Sequence, residues 1–173
     1  KNGDIIMLSM RMPYHFGGVY YAYLPSEFRF INEDGSLDSQ ENSFKKWGLA
    51  VVNLAKFAQK KGAKVIIQTP TPEWEKQHMN PRCSTIDKQW FNSLAKINCQ
   101  IESKFFIDKE KGIYSHLFEK LNQLSLSHKN IYLFDTYKIV CPENICSFTV
   151  DGIDIYEDHQ HIMHEWARDF ISP

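Results

Sequence analysis

The residues best suited to chemistry lie near the C-terminus, in residues 156–165 (YEDHQHIMHE). Asp158 stands three positions before His161, just ahead of a short amphipathic stretch. At this spacing a carboxylate on a loop can orient an imidazole, and the imidazole can then take the proton of a serine hydroxyl. Asp158 and His161 are therefore the candidate catalytic residues, and they need a serine from elsewhere in the fold.

The same segment permits a second chemistry, a metal site. His159, His161 and His164 are close in sequence to Asp158 and Glu165. A helix that began at His161 would place His161 and His164 on one face, as metal ligands often are. His159 would then point elsewhere, and no second group of ligands completes the set. The sequence favours the acid–base pair, so we expect no metal and no cofactor.

The elements that position these residues follow an α/β pattern. Three short apolar runs have the length of strands: residues 4–10, 64–68 and 131–135. Two stretches with apolar residues three and four positions apart predict helices: residues 42–61 and 113–124. Because helices alternate with strands, we expect a parallel sheet with right-handed crossovers.

The C-terminal part follows a different pattern. Residues 146–150 and 153–156 flank Asp151-Gly152, a pair of residues typical of a tight hairpin turn. After this small hairpin, residues 161–171 predict a closing helix. No linker or repeat divides the chain, so a single domain over residues 1–173 is expected.

Composition excludes several classes of partner. The chain has 173 residues, 43% of them hydrophobic, and a formal net charge of −1. The balanced charge gives no reason to expect nucleic acid or a lipid surface as a partner. No apolar run in the sequence has the length of a membrane helix.

The four cysteines fall into two local pairs, Cys83 with Cys99 and Cys141 with Cys146. Short loops can bring such pairs within disulfide range, and an even number of cysteines favours an oxidising compartment. Two disulfides are the favoured interpretation. A zinc site is the alternative, although no tight CxxC pair is present, and four buried thiols are another.

Polar residues also follow the first two predicted strands, where the carboxyl ends of parallel strands meet at one edge of a sheet. They are Ser9, Arg11 and His15 after the first strand, and Thr69, Thr71, Glu73 and Trp74 after the second. Ser9 precedes the Asp158–His161 pair, as a nucleophile could, but it lacks the small neighbours of a tight nucleophile turn. An ordinary strand-end serine is favoured.

Aromatic residues are abundant in residues 14–30, the loop after the first predicted strand. They could form a wall on which a sugar stacks. They could equally pack a long loop against the sheet, and packing is favoured because a loop of this length needs anchors to stay ordered.

The order of these features resembles the SGNH-type domain fused to the membrane acyltransferases of family three, which O-acylate surface polysaccharides. The segments that carry the resemblance are DIIMLSMRMP, TPTPEW, CSTIDKQWFNSLAKINC and CPENIC, followed by the DG hairpin and YEDHQHI. The resemblance implies a three-layer, flavodoxin-like SGNH-hydrolase fold with flanking helices. It also implies that Asp158 orients His161, which acts as general base toward a serine.

In that family the serine lies in a GDS motif after the first strand of the domain, and this chain contains no GDS. We therefore expect an N-terminally incomplete domain that begins after the nucleophile block; a non-catalytic domain is the alternative. The family also uses Gly and Asn to hold the developing oxyanion, and no GxND is present. Arg11 stands where that Asn is expected, so its guanidinium could steady negative charge or bind a sugar oxygen, a structural salt bridge being the alternative.

The function implied by the resemblance is that of an extracytoplasmic O-acyltransferase at the periplasmic face of the inner membrane. A membrane acyltransferase domain would donate an acyl group, usually acetyl, and a glycan such as lipopolysaccharide would accept it. No metal or cofactor is needed for this chemistry. The alternative functions are a carbohydrate esterase or deacetylase and a non-catalytic glycan-binding module.

Overall fold

The computed structural model describes residues 3–16, 30–74, 100–108, 112, 114–150, 153–157, 161–164, 166 and 168. The strands formed by these residues are β1 (Ile5–Leu8), β2 (Lys64–Gln68), β3 (Gln100–Glu102), β4 (Ile131–Phe134), β5 (Ile145–Ser147), β6 (Thr149–Val150) and β7 (Ile153–Asp154). The helices are α1 (Met12–Phe16), α2 (Gln40–Lys60), α3 (Lys104–Ile107), α4 (Ser115–Ser127) and α5 (Tyr137–Val140), with a 3₁₀ turn at Pro142–Asn144.

The chain divides into two compact units, which we describe separately. The sheet unit comprises Lys1–Pro70 and Ile107–Asp135, and the hairpin unit comprises Thr71–Phe106 and Thr136–Pro173. Whether residues 1–173 act as one domain stays a prediction. Among the residues described above, no helix is both long and apolar enough to span a membrane.

The sheet unit contains a three-stranded parallel sheet in the order β1-β2-β4. Val65 in β2 pairs with Ile6 in β1 on one side and with Ile131 in β4 on the other. The expected α/β fold with a parallel sheet and flanking helices is thereby confirmed. The strand predicted over residues 64–68 has the bounds observed for β2.

Helix α2 begins two residues earlier than predicted, because Ser39 caps it. The Ser39 hydroxyl oxygen accepts a hydrogen bond from the backbone N–H of Asn42 at 3.1 Å, which satisfies one of the free donors at the helix start. Gly62 ends the helix with a φ of 71°, a conformation that glycine adopts without strain.

Helices α2 and α4 cover one face of the sheet. Val51 of α2 and Leu117 and Leu121 of α4 belong to one buried cluster with Val65 and Ile131 of the strands. Side chains alternate between faces along a strand, so these strand residues point to the helix side. The burial of these branched side chains holds the sheet unit together.

Asn130 fixes the end of α2 against the start of β4. Its side-chain amide donates to the carbonyl oxygens of Ala55 at 3.1 Å and Ala63 at 2.9 Å. These two bonds join the C-terminal part of α2 and the segment before β2 to the start of β4.

The opposite face of the sheet carries apolar side chains that remain exposed. Ile5 is 60% exposed and Met7 is 49% exposed, and both belong to β1. Met7 pairs with Ile66, which pairs with Tyr132, and Tyr132 is 43% exposed. Parallel sheets are normally covered on both faces, so this face is unusual. We call the surface formed by Ile5, Met7, Ile66 and Tyr132 the open face.

The hairpin unit departs from the predicted two-stranded hairpin. Cys146 lies in β5, which pairs antiparallel with β3 through Cys146 and Ile101, while β6 and β7 form a separate short pair. The strand predicted over residues 146–150 is therefore divided at Phe148, whose ring is buried. The hairpin is shorter than expected because β3, distant in sequence, takes Cys146 as a partner.

The helix predicted from residue 161 begins later. Ile162 forms an antiparallel bridge with Tyr156, and the Met163 N–H donates to the Ile155 carbonyl at 2.8 Å. Residues 164, 166 and 168 are helical. The prediction of a helix start at His161 was wrong, because these backbone groups bond across to residues 155 and 156 instead of along a helix.

Packing accounts for the described part of the aromatic loop. Phe16 is buried, with ring centroids 5.2 Å from Phe44, 5.3 Å from Trp47 and 6.5 Å from Phe30. These are the distances of favourable aromatic contacts. Residues 17–29 lie outside the described residues, so the choice between packing and a sugar-binding wall stays open for them.

Cys141 and Cys146 form a disulfide with a Cα–Cα distance of 4.0 Å, the local pairing favoured by the sequence. It spans the 3₁₀ turn, in which Glu143 and Asn144 adopt φ values of 54° and 64° that are unfavourable for side chains with a Cβ. Cys83 and Cys99 lie outside the described residues, and their pairing stays a prediction.

Removing this disulfide should destabilise the protein moderately. The two cysteines are five residues apart, and closing so short a loop in the unfolded chain contributes about 2 kcal/mol. The double variant Cys141→Ala/Cys146→Ala should lose that free energy of unfolding, measured by urea denaturation. The outcome that contradicts this is a variant as stable as the oxidised wild type.

Candidate active site

The backbone around His161 is held by a short antiparallel ladder. The Glu157 N–H donates to the His161 carbonyl at 2.8 Å, and the Met163 N–H donates to the Ile155 carbonyl at 2.8 Å. Between these two bonds lies the bridge of Tyr156 with Ile162. We call this structure the histidine hairpin. It fixes the main chain of His161 although no long strand or helix contains it.

The residues of this ladder differ in their exposure to solvent. Tyr156 is 2% exposed, whereas Glu157 and His161 are exposed. The imidazole of His161 is therefore accessible, as a general base must be if it is to reach a substrate proton. Asp158 lies outside the described residues, so its hydrogen bond to His161 stays a prediction.

Three buried aromatic rings, one of them from the histidine hairpin itself, pack against one another. Trp74 packs edge-on against Tyr156, with ring centroids 5.7 Å apart, and against Phe148 at 5.8 Å. Phe148 and Tyr156 are themselves 5.8 Å apart. We call these residues the ring cluster. The sequence indicated Trp74 as a strand-end residue, but it did not indicate Phe148 or the contacts among the three rings.

The Tyr156 hydroxyl does not take part in acid–base chemistry near neutral pH. Burial raises the pKa of Tyr156 well above its ordinary value; contact with the Trp74 indole lowers that pKa by a smaller amount, and the negative charge of Glu73 raises it further. The phenol therefore remains neutral across the physiological range. Its contribution to the site is one of packing.

The sheet unit brings Ser9 next to the neighbouring strand. The Ser9 hydroxyl donates to the side-chain oxygen of Gln68 at 2.6 Å. A hydroxyl that donates to an amide oxygen is not activated by a base. This geometry suits the ordinary strand-end serine favoured by the sequence.

Arg11 and Thr69 follow β1 and β2 at the same edge of the sheet. Arg11 lies between the end of β1 and the first residue of α1, and its two terminal nitrogens are shielded from solvent. The backbone N–H of Thr69 donates to the Phe134 carbonyl at 3.0 Å, which extends the pairing of β2 with β4 by one residue. Binding of an oxyanion or a substrate by Arg11 stays a prediction.

The helical face that His161 and His164 were expected to share is not formed, and the other candidate ligands, Asp158, His159 and Glu165, lie outside the described residues. His161 belongs to the ladder and His164 to the helix that follows, so the two do not share a helical face. Within the described ranges, no three His, Cys, Asp or Glu side chains come together as metal ligands.

Comparison with known families decides the classification. A family model described as the SGNH domain (fused to AT3 domains) matches residues 1–168. The chain belongs to this family. Searches for similar curated proteins and for similar solved structures found no match.

Membership of the SGNH family confirms the resemblance noted in the sequence and agrees with the α/β fold. It associates this domain with acyltransferases and indicates an enzyme family of the hydrolase or acyltransferase type. The fusion named in the family description indicates a membrane acyltransferase as the partner domain. The roles of individual residues are not given by the family match.

Because the His161 side chain is exposed, its replacement should leave stability almost unchanged. Surface substitutions of this kind usually alter the free energy of unfolding by less than about 0.5 kcal/mol. His161→Gln should therefore melt with the wild type in a thermal denaturation experiment. As a comparison, Leu121→Ala in the buried core of the sheet unit should cost about 2–5 kcal/mol. Strong destabilisation by His161→Gln would mean that the imidazole has a structural role.

Proposed function

We propose that this chain is the extracytoplasmic O-acyltransferase domain of a membrane-associated acyltransferase. It transfers an acyl group, acetyl being the simplest, to a sugar hydroxyl of a surface polysaccharide such as lipopolysaccharide. The observation that carries the proposal is the match to an SGNH domain fused to AT3 domains, in a chain whose His161 is exposed on a backbone-held hairpin.

In the proposed mechanism a serine oxygen attacks the carbonyl carbon of the donor, and His161 takes the serine proton. The proton then passes to the leaving group of the donor, and an acyl-serine ester remains. The sugar hydroxyl attacks this ester while His161 removes its proton, and the serine oxygen recovers a proton as it leaves. Asp158 holds the imidazole in the tautomer that both steps need.

The open face supports a serine supplied by polypeptide outside these 173 residues. Ile5, Met7 and Tyr132 are large apolar side chains on one face of a parallel sheet, and such a face is stable when another layer covers it. Among the strands of the described residues, β1 lies at an edge of the sheet, where a further strand could pair with it. A strand and a helix added here would cover both surfaces.

Strand order limits where such a strand can join. β1 pairs directly with β2, and β2 pairs directly with β4, so no strand fits between them. A parallel strand beside β1 would end next to Ser9 and Arg11, at the carboxyl edge of the sheet. A serine that follows this strand would lie where reactive groups of such sheets gather, and Arg11 would lie close enough to steady the developing negative charge.

The disulfide between Cys141 and Cys146 supports a location outside the cytoplasm. Disulfides persist in oxidising compartments such as the periplasm and are rare in the cytosol. We therefore place the domain at the periplasmic face of the inner membrane, beside the membrane domain that supplies the acyl group.

The experiment for this function is acyl transfer by the protein in which this chain is joined to its membrane domain. His161→Gln should lower kcat by about 10²–10⁴-fold, the usual contribution of a positioned general base. Asp158→Asn should also lower kcat, because the wrong imidazole tautomer is then favoured. The measurement is the rate of acylated glycan formation, followed by mass spectrometry.

His164→Gln is the matched control, since His164 is also exposed and lies three residues away. It should retain wild-type activity. If His161→Gln keeps full activity, the proposed mechanism is wrong. Release of free acid with no acylated glycan would identify an esterase instead, and glycan binding with neither product would identify a binding module.

The coverage of the open face has a test of its own. Met7→Asp should destabilise the longer protein by on the order of 3 kcal/mol, because an unpaired carboxylate would be buried under the added layer. In the isolated chain the same substitution should reduce aggregation, measured by light scattering, because Met7 is exposed there. Leu49→Asp on α2, where Leu49 is 67% exposed, should have little effect on the stability of the longer protein. Equal stability of Met7→Asp and wild type in the longer protein would show that nothing covers this face.

A further inference from the structure

The ring cluster is the part of the hairpin unit that the proposed chemistry does not use directly. Its three members come from separate segments: Trp74 from the segment after β2, Phe148 from between β5 and β6, and Tyr156 from after β7. Trp74 is fully buried and Tyr156 is 2% exposed. Each ring contacts the other two within 6 Å between centroids.

Tyr156 connects this cluster to the histidine hairpin. Its backbone forms the bridge with Ile162, and the residues on either side of it form the two hydrogen bonds of the ladder. The Ile155 N–H also donates to the Phe148 carbonyl at 2.9 Å. A shift of the Tyr156 backbone would therefore also move the segment that carries His161.

Trp74 contacts Tyr156 from a segment distant in sequence, the one that follows β2. Both of its contacts in the cluster are edge-on, with interplanar angles of 72° and 76°. Edge-on contacts between rings have a preferred geometry, so they fix orientation as well as bury area. Without the indole, Tyr156 would keep its contact with Phe148 but lose its edge-on contact with Trp74.

We infer that Trp74 is a positioning residue for His161, acting through Tyr156 and the ladder of the histidine hairpin. This inference rests on the proposed function, in which His161 is the general base. A short ladder of two backbone hydrogen bonds and one bridge has little stability of its own, since isolated hairpins are marginal in water. The buried rings supply the support that keeps the imidazole in the geometry needed for proton transfer.

The experiment compares Trp74→Leu with Trp74→Phe and with the control Phe106→Ala. Phe106 is fully buried in the same unit, where its ring contacts Tyr137 at 6.0 Å, so its removal costs packing at another place. The first measurement is amide hydrogen exchange in the 173-residue chain at Glu157 and Met163, the donors of the ladder. The Val65 amide in the sheet unit, which donates to the Asn130 carbonyl, is the internal reference.

Trp74→Leu should lower protection at Glu157 and Met163 by about tenfold or more relative to Val65, because the hairpin opens locally. Phe106→Ala should leave that ratio unchanged even where it lowers the melting temperature as much. Trp74→Phe keeps a ring in contact with Tyr156 and should restore most of the protection. Unchanged protection at both amides in Trp74→Leu would overturn the inference.

The second measurement is acyl transfer by the longer protein. Trp74→Leu should lower kcat by about 10²-fold, the cost of a misplaced catalytic group, with KM within about twofold of wild type. An equal loss of kcat in Phe106→Ala would show that Trp74 acts only through general stability and would overturn the positioning role. Full activity of His161→Gln would instead defeat the proposed function, while the exchange measurement would still decide whether Trp74 supports the hairpin.

Discussion

The requirement that a parallel sheet bury both of its faces governs this protein. Helices α2 and α4 meet the requirement on one face, where Val65 and Ile67 are fully buried. On the other face, Ile5 and Met7 remain in solvent. The hydrophobic effect that stabilises the first face therefore favours a further layer on the second. The proposed mechanism uses this face, because a strand and a helix that supply the serine would also cover it.

The hairpin unit holds His161, the general base of the proposed mechanism, on a short segment. His161 is exposed, yet its backbone is fixed by hydrogen bonds to residues 155–157. In the proposed mechanism, this exposure lets the imidazole reach its substrate. The buried rings of Trp74, Phe148 and Tyr156 then support the segment that carries it. Ile155 and Tyr156 are buried, whereas Glu157 and His161 are exposed, so support and accessibility come from different residues of the hairpin. The disulfide after α5 and the pairing of β3 with β5 stabilise the same unit.

Family membership and geometry contribute different parts of the functional argument. The SGNH match covers residues 1–168 and establishes the class of domain and its association with acyltransferases. Geometry adds that His161 is accessible and that Ser9 donates to Gln68 in place of meeting a base. In the proposed mechanism, the site is completed by a serine from outside this chain. The acyl group and the glycan depend on contacts with substrates, for which the family match gives no residues.

Local patterns in the sequence determined the elements of the sheet unit. β2 was predicted with its observed bounds, and α2 within two residues, because the periods of strands and helices are properties of neighbouring residues. The Asp158–His161 spacing is also a local pattern, but Asp158 lies outside the described residues and the pair stays a prediction. Tertiary structure alone decided that Cys146 pairs with Ile101, and that Ile162 bonds to Tyr156 instead of starting a helix. The reason is that backbone donors and acceptors in short segments take whichever partner packing brings near, and buried rings such as Trp74 set that choice from distant positions in the chain.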